Sequence, residues 1–154
     1  MEELKKALAS VNLFKGLTAQ GLMDIGAIAN ENRHARGSFI FHEGDRGDKL
    51  YVIIEGKVRI SRTVPGMGEE ALAILGPGEA FGEMSLIDEF PRSADAIAHE
   101  SAVVLEISRE ALDDLLMQNR DLAYEILWNF VRILSSRLRE TNDKMTFLSV
   151  SNKF

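Results

Sequence analysis

The residues best suited to chemistry lie together in Phe81-Gly82-Glu83-Met84-Ser85-Leu86-Ile87-Asp88-Glu89-Phe90-Pro91-Arg92-Ser93-Ala94. Between Thr63 and Ser108 the chain carries nine acids, and Arg92 is its one base other than histidine. A lone guanidinium offers a planar fork that fits two phosphate oxygens. Pro91 precedes it and the small Ser93 and Ala94 follow, so an anion can reach the backbone. Gly82, with no Cβ, permits the same approach. Met84-Ser85-Leu86-Ile87 suits one helical turn, whose first N–H groups lack intrahelical partners and can face an anion. Glu83 has the wrong charge to hold a phosphate and the right one to accept from a sugar hydroxyl. The set asks for a small molecule with an anionic group beside a hydroxyl, and a nucleotide with its ribose fits. An ordinary loop in which Arg92 pairs with Glu83 or Asp88 accounts for the same residues. Residue types alone leave both readings open.

Other chemistries find less support. The chain has no cysteine, which excludes disulfides, thiolate metal sites and cysteine nucleophiles. His34, His42 and His99 fall in no metal-ligand spacing, and no Gly-x-Ser-x-Gly turn occurs. A binding module without metal is therefore expected, not an enzyme. Acids outnumber bases 24 to 18, a net charge of −6. Nucleic-acid binders carry a basic face, so no DNA partner is expected. The bases Arg132, Arg137, Arg139 and Lys144 are interrupted by Glu140 and Asp143 and read as a solvated helix face. No apolar run is long enough to span a bilayer, and Met1-Glu2-Glu3-Leu4-Lys5-Lys6 lacks the apolar core of a secretory signal. A cytoplasmic protein without a membrane partner is the default expectation.

The 154 residues read as one domain in three zones. Residues 1 to about 30 are expected to be helical. Leu4, Leu8 and Val11 share one helix face, and Thr18 can cap a second helix carrying Leu22, Ile25 and Ile28, which Gly21 and Gly26 weaken. From residue 33 to 107 short apolar runs alternate with Gly-rich turns: Phe39-Ile40-Phe41, Leu50 to Ile54, Val58 with Ile60, Ala71 to Leu75, Ala94 to Ala98 and Val103 to Ile107. That pattern predicts an antiparallel β-roll or jelly-roll barrel, hence an α+β, mainly β fold flanked by helices. Residues 108–148 return to helix, with Ser108 and Asn119 or Asp121 as caps. Tyr124, Leu127, Val131, Leu134, Leu138, Thr141, Met145 and Leu148 form a heptad series, which predicts a homodimer through the long helix. Ile126, Trp128, Phe130 and Ile133 form a second face, expected on the β-domain.

The stretch Gly82-Glu83-Met84-Ser85, followed by Arg92-Ser93-Ala94, resembles the phosphate-binding cassette of cyclic nucleotide-binding domains. The order of helix, β-roll and paired C-terminal helices agrees over nearly the whole chain. The resemblance implies that Glu83 accepts from the ribose 2′-OH and that Arg92 grips the exocyclic phosphate oxygens. Gly82, Met84, Ser85, Ser93 and Ala94 would add backbone N–H donors, with the Ser93 hydroxyl as one more. Leu72 would wall the base, and Thr141 and Asn142 of the long helix would meet it, one from each chain of a dimer. Thr141 is also the polar residue in mid-seam. Ser93 and Asn142 favour cyclic AMP as the ligand over cyclic GMP. Bacterial activators of this family carry a helix-turn-helix after the long helix, for which this chain, stopping at Phe154, shows no room. The expectation is therefore a stand-alone sensor acting on a downstream protein that the sequence does not name. A regulatory module of a larger channel, kinase or transcription assembly is the alternative.

Overall fold

The computed structural model describes residues 2–88 and 90–151. The chain opens with α1 (Glu2–Ser10), a 3-10 turn (Asn12–Phe14) and α2 (Ala19–Ile28). The strands follow: β1 (Ala29–His34), β2 (Phe39–Phe41), β3 (Lys49–Glu55), β4 (Val58–Val64), β5 (Gly68–Leu75), β6 (Ala80–Phe81), β7 (Asp95–Ala98) and β8 (Ala102–Ser108). A second 3-10 turn (Glu83–Leu86) separates β6 from β7, and α3 (Arg109–Gln118) and α4 (Arg120–Ser151) close the chain. The strands form two four-stranded sheets, ordered β1-β8-β3-β6 and β2-β7-β4-β5. Every pairing is antiparallel.

The period of two along β3 and β8 sorts side chains between two cores. Leu50, Val52, Leu105 and Ile107 face the helices, packed with Leu8, Phe14, Ile25, Leu112 and Ile126. Tyr51, Ile53, Ala102 and Val104 face the other way, against Val58, Ala96 and Ala98 of the second sheet. Both faces of these strands are therefore covered, which is why they read as continuous apolar runs.

Two expectations shift. Helix gives way to strand at Ala29, because Ala29 to His34 pair with Ile107 to Ala102. Asn30-Glu31-Asn32-Arg33 are exposed and polar, as suits an edge strand, and carry no apolar alternation to announce it. The α2 glycines that weaken it locally serve packing. A Cβ on Gly21 would lie 3.2 Å from Leu122 Cδ1, and one on Gly26 would lie 3.5 Å from Leu4 Cδ2.

The long helix has two halves. Leu122, Ile126 and Phe130 are buried, and Asn129 donates through Nδ2 to the carbonyls of Leu13 and Lys15, each at 2.9 Å. Residues 135–150 are exposed throughout. Trp128 does not join the face of Ile126 and Phe130. It sits one turn from Tyr124 on the opposite side, in an edge-to-face contact, and Arg132 lies over it.

One turn tests the framework. Gly56 has φ +80°, and a Cβ there would come within 2.1 Å of the Ser101 carbonyl oxygen. Gly66 shares that φ with nothing within 4 Å. Urea unfolding should show Gly66→Ala costing about 1 kcal/mol and Gly56→Ala about 3 kcal/mol or more.

Candidate functional site

Arg92 is fixed first by its backbone. Its N–H donates to the Asp45 carbonyl and its carbonyl accepts from Gly44 N–H, both at 2.8 Å, and Pro91 bridges to Arg46. The tight turn after β2 thus sets where the guanidinium starts. Only 8% of Arg92 is exposed. Nη2 donates to the Lys49 carbonyl at 2.9 Å and Nη1 to the Gly82 carbonyl at 3.3 Å. Cζ lies 4.2 Å from the Phe41 ring centroid and 5.7 Å from that of Tyr51. Nε is buried without a partner among the described residues. Burial pulls the guanidinium's pKa below its ordinary value, opposed by Tyr51, Asp48 and Glu83. Burial, with Glu106 second, raises the Tyr51 phenol.

Among the described residues, Arg92 forms no ion pair, so the ordinary-loop reading fails. Its charge is held by carbonyl dipoles and ring faces and remains unneutralised. Gly82 makes this possible in two ways. It adopts φ +79°, and a Cβ there would stand 2.7 Å from Arg92 Nη1. The 3-10 turn Glu83–Leu86 starts from it, one residue earlier than the turn expected over Met84-Ser85-Leu86-Ile87.

Glu83 is buried to 9% exposure, and its Oε1 pairs with the guanidinium of Arg137 on α4. Arg137 was expected on a solvated face. The structure instead brings it down to the roll, half-exposed, as the residue that sequence reasoning missed. The available signal was its place on the long helix, four residues before Thr141 and so on the same side.

These groups line a pocket of about 530 Å³. Glu83, Arg92 and Arg137 line it together with Ile60, Ala73 and Leu75. Gly82, Met84, Ser93 and Ala94 line it as well. Ser85 belongs to the 3-10 turn by its backbone, and its side chain lies outside the described residues. Leu72 is a correction. It is 54% exposed and does not line the pocket. Ile60 pairs with Ala73 while Ser61 pairs with Ala71, so a β-bulge leaves Leu72 as the unpaired extra residue. Ala73 and Leu75 take the wall position instead. Thr141 and Asn142 are exposed on α4 and do not line the pocket of the single chain. The carbonyl of Asn142 accepts from the Thr146 hydroxyl at 2.9 Å.

The β-roll thus holds an unneutralised guanidinium and a carboxylate in one cleft. The profile of the cyclic nucleotide-binding domain matches residues 31–119, and the chain belongs to that family. It is 41% identical over 137 residues to a cyclic AMP receptor protein of Thermus thermophilus, covering 89% of this chain and 62% of that one. It is 32% identical over 145 residues to a CRP-like cAMP-activated global transcriptional regulator of Mycobacterium tuberculosis, covering 94% and 63%. Among solved structures, the N-terminal domain of a transcriptional regulator from Streptomyces coelicolor A3(2) superposes with a TM-score of 0.80 at 39% identity, covering 90% of this chain and 94% of that one.

The chain spans less than two thirds of the length of these two relatives. The expectation that DNA is no partner is overturned by them, because they include a transcriptional regulator. The net charge of a sensing segment does not report on a separate DNA-reading face, and where a chain ends carries no argument. Among the described residues no cluster of His, Cys, Asp or Glu is arranged to hold a metal ion, and no helix is long and apolar enough to cross a membrane.

Two substitutions separate packing from surface charge. Gly82→Ala strains a left-handed backbone and drives a methyl into Arg92, so urea unfolding should show a loss of about 2–4 kcal/mol. Arg137→Ala breaks a pair whose cation is half-exposed and should cost less than about 1 kcal/mol. Equal losses would place Arg137 in the folding core rather than at the site.

Proposed function

We propose that this domain is the cyclic AMP-sensing unit of a regulator and that it signals through α4. The observation that carries the reading is Arg92, a buried cation with an unpartnered Nε, set in one pocket with Glu83. A cyclic phosphate is the anion that would complete it, and a ribose 2′-OH is the donor that Glu83 would accept. Backbone N–H groups of Gly82, Met84, Ser85, Ser93 and Ala94 would ring the phosphate, with the Ser93 hydroxyl beside them. Cyclic AMP is favoured over cyclic GMP because two relatives are named for it, and because Asn142 can match the N6/N7 edge of adenine.

Signalling follows from Glu83 and Arg137. The residue that meets the ribose also holds the long helix, so a ligand at Glu83 changes the pairing of α4 with the roll. Differential contact with two positions of one helix is what a ligand-driven shift requires. Thr141 and Asn142 lie beyond Arg137 on the exposed half of α4 and would close over the base, one of them from a second chain. The exposed series Tyr124, Leu127, Val131, Leu138, Met145 and Leu148 supports a dimer through α4, since each of these side chains is more than half exposed in the single chain. The domain is read as a binding module, with the chemistry of any output left to what it contacts.

Titration calorimetry with cyclic AMP and cyclic GMP side by side tests this. Cyclic AMP should bind more tightly. Arg92→Ala should weaken it by about 30-fold or more, the scale of a buried charge-assisted pair. Thr141→Ala should weaken it by about 2- to 10-fold. Unchanged affinity in Arg92→Ala would overturn the pocket assignment. In sedimentation, Leu138→Asp should shift the chain from dimer to monomer, and a monomeric parent chain would remove the dimer from the proposal.

A further inference from the structure

The β-roll hides a feature that the strand pattern left as plain apolar filling. Phe41 ends β2, a three-residue strand read from the sequence only as apolar. In the fold its ring becomes the floor under Arg92, with Cζ 4.2 Å from the centroid. Tyr51 lies 5.7 Å from Phe41, and Phe81 lies 6.0 Å from Phe41 and 4.9 Å from Tyr51, stacked at 7°. The guanidinium therefore rests on an aromatic cluster drawn from both sheets, since β2 belongs to one and β3 and β6 to the other. Phe41 also lines the pocket.

A buried cation requires some counter-field. A carboxylate would supply it and would cancel the charge that a phosphate needs. Two carbonyl oxygens and a ring quadrupole attract the guanidinium while leaving its net charge in place. An aliphatic side chain at position 41 would fill the volume and supply no such field.

We propose that Phe41 is a positioning residue for phosphate recognition: its ring face seats the Arg92 guanidinium at the pocket without neutralising its charge. The inference rests on the reading of this pocket as a cyclic nucleotide site. It adds that the affinity of the site depends on the π face at position 41 as well as on the arginine.

Phe41→Leu keeps apolar bulk and removes the ring, and Phe41→Tyr keeps the ring. Each is titrated with cyclic AMP after its unliganded melting curve has been recorded. Phe41→Leu should weaken binding by about 3- to 20-fold, and Phe41→Tyr should stay within about 2-fold of the parent. In proton–nitrogen NMR, the Arg92 Nε–H of the unliganded parent should be shifted upfield by the ring current, and that shift should vanish in Phe41→Leu and persist in Phe41→Tyr. Should Leu at this position unfold the chain, Phe41→Met is read in the same way. Parent-like binding in Phe41→Leu would overturn the proposal, and so would a loss in Phe41→Tyr as large as in Phe41→Leu. A parent that binds no cyclic nucleotide sinks the functional reading instead, while the ring-current shift still reports whether Arg92 sits on the ring.

Discussion

Burying a guanidinium without a carboxylate is the constraint around which this β-roll is arranged. A cation removed from water requires dipoles held at fixed places. Here they are the carbonyls of Lys49 and Gly82 and the faces of Phe41 and Tyr51. Lys49 and Tyr51 belong to β3, Phe41 to β2, and Gly82 follows β6, so the pose of one side chain needs both sheets in register. The turn at Gly44 and Asp45 sets where the arginine begins, and the missing Cβ of Gly82 leaves room for where it ends. The burial that lowers the pKa of Arg92 also strengthens any anion contact it makes, because little water competes.

The second organising contact crosses from roll to helix. Glu83 sits in the turn after β6, and Arg137 sits on α4 just where that helix leaves the body of the fold. Before it, Leu122, Ile126 and Phe130 are buried and Asn129 is tied to the N-terminal turn. Beyond it, residues 138–150 of α4 are all exposed. The ion pair therefore stands at the boundary between the anchored and the free half of a 32-residue helix. Half-exposed as Arg137 is, that pair adds little to stability.

The parts legible in the sequence are those whose signal is local. The apolar runs of β3 and β8, the Ser108 and Thr18 caps and the heptad of α4 were all readable, and the structure has helices and strands there. The misplacements have local causes too. Residues of β1 are polar because β1 is an edge, so its existence depends on β8 rather than on its own pattern. The family resemblance made Leu72 a wall of the base, and a single-residue bulge took it out of the pocket lining. Trp128 was grouped with Ile126, Phe130 and Ile133, yet it lies two residues from Ile126 and so on a different side of the helix.

By itself the sequence determined the chemical inventory and its order: one arginine in an acidic stretch, a carboxylate nine residues before it, a glycine able to turn left-handed, and a long helix with a polar residue in mid-seam. These follow from composition and spacing, which a chain carries whether or not it is folded. Only the tertiary structure decided which partner each charge would take. It seated Arg92 on Phe41 and backbone carbonyls and gave Glu83 to Arg137, more than fifty residues along the chain. Contacts between residues so far apart are set by sheet register, bulge position and helix direction. None of these is a property of any segment alone, so a local pattern can put Arg137 on one side of a helix but cannot name its partner.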